Sequence, residues 1–416
     1  MKEFKLNQIE LKDSRVFRDA IHNYIEVNHQ LILDLINTKE MQRLRRIKQL
    51  GGTHQVYQSA EHSRFCHSLG VYQIIKSMLK DKCIGKYISD YDKLAVMCAG
   101  LLHDVGHGPF SHCFEDVFHL NHEDYTVKII LEDSSVHEVL ESFEVGFSQV
   151  VASIIKKNHP NMILVQMVSS QLDADRMDYL LRDSYFTGTT YGQFDLQRIL
   201  RIMKVHDGRI VYRQSGVQSI EDYILARYHM YWQVYYHPTA RSYEQLLISC
   251  FRRIQDLYDQ GFYLGDIQFL EPFLKGTVST LQYLDLDESI VLYYFKIFSN
   301  CKDPILKDLT TRFLNRNLFK YIDLTNVIDL KTIQEKFKKQ GYDPRYYVVS
   351  DKQSQIPYHY GSHHKIAEIQ ILKNDEIVDL TSVSEIVGAI SNSKNSKQDD
   401  KVFYPLIEKI GYNNNI

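Results

Sequence analysis

Three histidines and an aspartate crowd one short turn of this chain. The stretch is Leu101-Leu102-His103-Asp104-Val105-Gly106-His107-Gly108-Pro109-Phe110-Ser111-His112. Imidazole and carboxylate together suit a divalent cation, and imidazoles left over suit proton transfer. A His-Asp pair alone is weak evidence, because the chain holds 18 His and most histidines are structural or solvated. Four further segments add weight. Arg64-Phe65-Cys66-His67 lies upstream, and Asn121-His122-Glu123 lies just downstream. Gln171-Leu172-Asp173-Ala174-Asp175-Arg176-Met177-Asp178-Tyr179 and Tyr235-Tyr236-His237 follow.

These groups need elements to position them. Lys93 to Gly100 is apolar and Ala-rich, which reads as a buried helix delivering the His-Asp pair at its end. Gly106, Gly108 and Pro109 break it, and Pro109 suits the first turn of a new helix with Phe110, Phe114, Val117 and Phe118 as its apolar face. His67 opens a helix that runs on through Leu69, Val71, Ile74, Ile75, Met78 and Leu79. Arg64 lies about one turn before it, and a guanidinium there suits phosphate oxygens. From Ser169 to Tyr185, the positions Leu172, Asp175, Tyr179, Arg182 and Asp183 follow the spacing of one helical face. Such a polar stripe fits a cleft, the plain alternative being a surface salt-bridge ladder.

The rest of the chain is read in the same way. Residues 14 to 30 form an extended pair with Asn23 in its turn. Residues 31 to 50 are helical, with Arg43, Arg45, Arg46 and Lys48 as a basic run that a solvated face would explain. Residues 123 to 140 and 147 to 158 are helical, Asn121 or His122 capping the first. Ile202–Val205 and Arg209–Tyr212 form a hairpin around Asp207-Gly208. A helical pattern resumes from Gly216 to Tyr258, dense in aromatic residues, and further helices fill 276 to 322. Near 326 the texture changes. Strands are predicted at Tyr346–Val349, Ala367–Ile371 and Ile377–Leu380, and a loop from Ser391 to Asp400. The expected architecture is mainly α: a helical catalytic domain with an N-terminal hairpin over 1–325 and a small α+β module over 326–416.

Composition narrows the function. The net charge of −3 gives no general nucleic-acid tail or membrane patch, so an anionic ligand needs a local basic pocket. Cys66, Cys83, Cys98, Cys113, Cys250 and Cys301 are scattered singly, which suggests a reducing, cytoplasmic setting and no disulfide framework. The N-terminus has no apolar signal core, and no run of about 18 apolar residues suggests a membrane span. Neither HExxH nor a P-loop motif occurs.

The order His67, His103-Asp104, Asp175 resembles the metal-ligand pattern of the HD superfamily. Gln42 to Gly52, Arg64 to Gly70, His103 to His112 and Asp173 to Tyr179 narrow the resemblance to the deoxynucleoside triphosphate triphosphohydrolase branch, strongly so between Val16 and Arg241. The bacterial relatives of the sterile-alpha-motif-and-HD type, without the sterile alpha motif domain, look nearest. The resemblance implies an HD-domain helical phosphohydrolase core holding one divalent ion on His67, His103, Asp104 and Asp175. The mixed donors leave Mn, Fe, Zn, Ni and Mg open. It implies hydrolysis at the α-phosphorus, releasing deoxynucleoside and inorganic triphosphate, with Mg accompanying the nucleotide. His112 is then the general acid, His107 and His122 flank the phosphates, and Asp173 orients His112 or a water. Gln49 and Leu50 face base and sugar, Arg64 the α-phosphate, Asp183 the 3′-hydroxyl, and Tyr179, Tyr235 and His237 the sugar. A regulatory nucleotide would meet Arg18, Asn37, Gln42 and Arg45. Guanine-activated relatives carry an acid where this chain has Asn37. A homodimer or homotetramer is expected, with no membrane or nucleic-acid partner. Two alternatives stay open: another HD phosphohydrolase acting on nucleoside monophosphates or cyclic nucleotides, or a non-catalytic nucleotide- or nucleic-acid-binding scaffold.

Overall fold

Helices dominate the computed structural model, which describes residues 4–80, 84–324, 330–355, 368–392 and 397–406. Glu10–Asp19 pairs antiparallel with Asn23–His29, and Asn23 reverses the chain at φ 59°. Asparagine tolerates this left-handed conformation because its amide can bond locally. Asp19 stabilises the turn by accepting from the amides of Ile21 at 2.9 Å and His22 at 3.0 Å. Ile21 therefore lies in the turn.

The helical run expected over 31–50 divides. Gln30–Asn37 ends at Thr38, which turns extended and caps Lys39–Arg43 through its hydroxyl. Threonine bonds readily to nearby backbone, which favours caps over helix interiors. Leu44–Arg46 then tightens to a 3-10 turn. The basic run is not one solvated face. Arg43 is buried and donates to the carbonyls of His107 at 2.8 Å and Leu286 at 2.9 Å, whereas Arg45 and Arg46 are exposed.

Three helices frame the His-Asp pair: Arg64–Lys80, Asp90–Leu102 and Ala174–Thr187. They approach closely at two glycines. A Cβ on Gly100 would stand 2.1 Å from the Ile75 side chain, and one on Gly70 would stand 1.9 Å from Asp178 Oδ1. Only hydrogen fits at either point, so the glycines bring His67, His103 and Asp175 within reach of one another. After the pair, the new helix does not start at Pro109. It spans His112–Phe118, because Phe110 and Ser111 sit at φ 57° and 53°. Non-glycine residues held there cost on the order of 1–3 kcal/mol each.

Other helices are shorter than the apolar pattern suggests. His122–Leu131 and Ser135–Phe143 are separated by the cap Ser134, and Asn121 caps the first. The helix of the polar stripe starts at Ala174, capped by Asp173. The aromatic helix is α over Val217–Met230, becomes a π turn over Tyr231–Tyr235, and restarts as Pro238–Asp259.

The hairpin Met203–His206 and Arg209–Arg213 forms as read, with Asp207 and Gly208 at positive φ. It also joins a later segment. Arg209–Arg213 runs parallel to Gln370–Lys373, which pairs with Glu376–Asp379. A second sheet places Lys397–Tyr404 between Lys320–Asp323 and Val349–Gln355. Both sheets cross the boundary expected at 325/326, and the packing does not divide there. Ile369, Ile371, Leu380 and Val387 join the core around the His-Asp pair. Phe337, Tyr346, Val402 and Phe403 join a second core with Phe114, Phe251 and Phe313. Pro344–Tyr347 is a short helix, and the strand predicted over Tyr346–Val349 begins only at Val349. Part of the loop expected over 391–400 is strand, since Lys397–Asp400 is paired; 393–396 lie outside the described residues. Ala367 lies outside them too, as does Cys83; the other five cysteines are free. No helix among the described residues is long and apolar enough to cross a membrane.

Candidate active site

His67 sits in the first turn of Arg64–Lys80, and His103 at the C-terminal end of Asp90–Leu102. His67 Nε2 lies 3.0 Å from Asp175 Oδ1, and His103 Nε2 lies 3.6 Å from the same oxygen. The donor atoms of these three residues fall within 4.8 Å of one another. Asp104 stands beside them, Oδ1 3.3 Å from His103 Nε2 and Oδ2 3.9 Å from His67 Nε2. Its carboxylate also takes a hydrogen bond from Arg64.

The donors fit a cation. His103 Nδ1 donates to the Gly100 carbonyl at 2.9 Å, so Nε2 carries the lone pair. That nitrogen is buried with no hydrogen-bond partner, and it faces two carboxylates. Burial opposes charge on His67, but hydrogen bonding and charge from Asp175 and Asp178 outweigh it and push its pKa up to about 10, so that binding a cation would exchange the Nε2 proton for the ion.

A second cluster adjoins the first. His107 Nδ1 lies 3.3 Å and His122 Nδ1 2.9 Å from the Glu115 carboxylate. The rings of His107 and His122 stack at 3.8 Å, and His112 Nδ1 stands 3.6 Å from Glu115. Burial would raise the Glu115 pKa, but the three histidines around it hold it far below the usual carboxylate range. Burial and then the charge of Arg64 depress His107 to about 4, which leaves its ring neutral at pH 7. Sequence reading missed Glu115, although its spacing of three from His112 on one helix could have shown it.

Arg64 is fixed from both sides, donating to Asp104 and to Ser111 Oγ at 2.7 and 3.2 Å. The strained Ser111 thus holds the guanidinium in place. Arg64 lines a cavity of about 510 Å3 together with Asp104, His107, His112, His122, Asp175, Gln49, Leu50, Tyr179, Asp183 and Tyr235. Gln49 Oε1 is buried there without a partner. Tyr235 donates to Asp183 Oδ2 at 2.7 Å, and His62, missed in the sequence, donates to Oδ1 at 2.8 Å. Asp351 and Gln353, from the strand Val349–Gln355, also line the cavity. Arg241 pairs with Asp351 at 2.7 Å, which ties this late segment to the cavity wall.

Some residues fall elsewhere. His237 does not line the cavity; it caps Pro238–Asp259 by accepting from the Thr239 amide at 3.2 Å. Arg182 leaves the polar stripe and points away, bonding Asp178 and Asp19. Arg18 is exposed on the hairpin, its guanidinium over the Tyr24 ring. Gln42 donates to the Ile36 carbonyl at 2.8 Å and accepts from Arg45 at 2.9 Å, close in sequence to the exposed Asn37.

Asp173 has a structural post where orientation of His112 or a water was expected. It is fully buried, and its oxygens accept from the amides of Ser170 and Arg176 and from the Arg176 guanidinium at 2.6 Å. Asp173→Ala is expected to cost about 0.5–2 kcal/mol for the lost cap, plus the loss of the Arg176 pair. Asp173→Asn keeps a capping oxygen and should recover the cap portion. Urea unfolding reads both, and an alanine variant with an unchanged midpoint would refute the post.

With this geometry in view, comparison with known proteins defines the class. Residues 64–183 match the HD domain and residues 194–262 match the HD associated region. The chain is 45% identical over 405 residues to the uncharacterized protein YwfO of Bacillus subtilis, covering 95% of this chain and 93% of that one. It is 29% identical over 383 residues to the deoxynucleoside triphosphate triphosphohydrolase SAMHD1 of Homo sapiens, covering 82% of this chain and 59% of that one. A phosphohydrolase (BT4208) of Bacteroides thetaiotaomicron superposes with a TM-score of 0.84 at 30% identity, covering 95% of this chain and all of that one. The chain is thus an HD-domain phosphohydrolase carrying the HD-associated region. It belongs to the family of YwfO, and it is similar over much of its length to SAMHD1.

Proposed function

We propose that the chain hydrolyses deoxynucleoside triphosphates to deoxynucleoside and inorganic triphosphate. One observation carries this reading: a single cavity is lined both by Asp104, Asp175, Arg64 and three histidines and by Gln49, Leu50, Tyr179, Asp183 and Tyr235. The first set suits a phosphate chain and the second a sugar and base. A divalent ion on His67, His103, Asp104 and Asp175 would supply charge to a phosphoryl oxygen and lower the pKa of a water. Arg64, already oriented by Asp104 and Ser111, adds a fixed charge at the phosphates. Water attacks the α-phosphorus as its bond to the 5′-oxygen breaks. That leaving oxygen is strongly basic and needs a proton, which His112 gives. Glu115 stands 3.6 Å from His112 Nδ1.

Ion-exchange product analysis with each dNTP, alone and in pairs, with Mg or Mn, tests the reading. Triphosphate is expected. Orthophosphate or a monophosphate would point to another HD phosphohydrolase, and no turnover to a binding scaffold. The same nucleotide panel tests regulation. Asn37 is neutral and offers both donor and acceptor, so activation is not expected to depend strictly on guanine. Activation by GTP or dGTP alone would contradict this.

Sugar selection should reside in Tyr235. A ribose 2′-hydroxyl packed against its ring would lose water without gaining an acceptor, at a cost of roughly 1–3 kcal/mol. That corresponds to about 5- to 150-fold discrimination. Tyr235→Ala should narrow the ratio of kcat/KM between dATP and ATP. Tyr235→Phe keeps the ring and should retain it. Tyr236 serves as a control, since its hydroxyl donates to the Ser354 carbonyl at 3.2 Å. A ratio narrowed only by Tyr236→Ala would move the role to that residue.

A further inference from the structure

Asp178 accepts an unusual number of hydrogen bonds for a buried carboxylate. His67 Nδ1 donates to Oδ2 at 2.8 Å, and His22 Nε2 donates to Oδ1 at 2.7 Å. Arg182 adds two more, at 2.8 and 3.0 Å. Neither Asp178 nor the His67 side chain is exposed, and His22 is nearly covered. His22 belongs to the turn of the N-terminal hairpin, pinned a second time where Arg182 donates to Asp19 at 2.8 Å. Gly70 leaves the space that the Asp178 and Arg182 side chains occupy.

The chemistry of this chain of contacts is directional. A neutral histidine that donates from Nδ1 to a carboxylate has its lone pair on Nε2 and its ring held in one plane. His67 Nε2 faces Asp175. We propose that Asp178 and His22 form a positioning relay for the metal ligand His67, so that the hairpin turn is a working part of the metal centre. The proposal rests on the reading that His67 holds a cation. Removing His22 would leave Asp178 with only Arg182 to hold the oxygen that His22 now engages. The carboxylate could then rotate, and the His67 ring with it.

The test is the affinity of the full chain for Mn2+ alone, measured by competition with a chromophoric chelator, beside far-UV circular dichroism and thermal melting. Asp178→Asn should bind Mn2+ about 10- to 100-fold more weakly, the usual effect of losing such a partner. His22→Ala should weaken it by a smaller factor, with the fold retained. A purely structural role would lower the melting temperature and leave Mn2+ affinity unchanged. Nitrogen-15 NMR of the Zn2+-loaded chain adds an independent readout, since His67 should carry its proton on Nδ1. Wild-type affinity in both folded variants overturns the relay, and a loss confined to Asp178→Asn removes the hairpin from it. If Asp178→Asn fails to fold, His22→Ala decides, because it leaves the Asp178–Arg182 pair intact. A wild-type chain that takes up no Mn2+ overturns the metal reading itself, and the relay falls with it.

Discussion

Replacing His112 with alanine is expected to leave metal uptake and nucleotide binding in place while lowering kcat by about 100- to 10,000-fold, the range general acid catalysis typically supplies. The geometry supports a loss confined to turnover. The His112 side chain is 73% exposed, so its removal opens no cavity in the core. Its carboxylate neighbour Glu115 keeps His107 and His122 as partners and is not orphaned. The proposed metal donors His67, His103 and Asp175 belong to a different cluster. Isothermal titration with a dNTP beside a rate assay separates binding from chemistry. A variant within a few-fold of the wild-type rate would remove His112 from the proton transfer. If the same variant instead lost nucleotide binding, His112 would be a phosphate contact.

The legible parts of this protein are the local ones. His103 and Asp104 are adjacent, and a turn of Gly and Pro after an apolar helix announces that they stand at its end. The hairpin at Asp207-Gly208 is equally local. Interactions between distant segments left weaker traces. His22 and Asp178 meet across 156 positions, and nothing in either neighbourhood marks the partner. Arg43 looks like one of four basic residues, but its bonds to the His107 and Leu286 carbonyls come from segments that no periodicity connects. The apolar stripe from Leu31 to Ile47 is real in burial, since Leu31, Leu35, Ile36, Met41, Leu44 and Ile47 are all buried, yet Thr38 breaks the helix beneath it. Periodicity reports which face is buried; a single capping residue decides where hydrogen bonding stops. The aromatic run failed differently. The π turn at Tyr231–Tyr235 inserts an extra residue per turn, which a pattern of 3.6 cannot register. Through that turn Tyr235 reaches Asp183, while Tyr236 bonds Ser354 and His237 becomes a cap. Gln370–Lys373 and Glu376–Asp379 overlap strands expected from the sequence, but the pairing with Arg209–Arg213 is non-local and leaves no trace there; Lys397–Tyr404, the partner of Lys320–Asp323, begins within the stretch expected to be a loop.

Loss of the shared carboxylate should have the largest effect. Asp175 Oδ1 is the oxygen that both His67 Nε2 and His103 Nε2 face, at 3.0 and 3.6 Å. Asp175→Ala leaves two imidazoles without the anion between them, and Asp104 already shares its charge with Arg64. Metal retention should fail, and with it the several kcal/mol of transition-state charge stabilisation that a bound cation supplies. At 1.36 kcal/mol per tenfold, that amounts to about a thousandfold or more in rate. Asp104→Ala should also lose metal and turnover, and it carries a second penalty because Arg64 is buried and left with Ser111 alone. The two variants should therefore differ in stability but agree in metal content. Elemental analysis after dialysis gives the content, and urea unfolding gives the difference. Asp175→Ala should remain folded, since Asp178 still holds His67 at 2.8 Å and Asp173 still caps the helix. Either variant retaining a full complement of metal with normal activity would remove that residue from the metal centre.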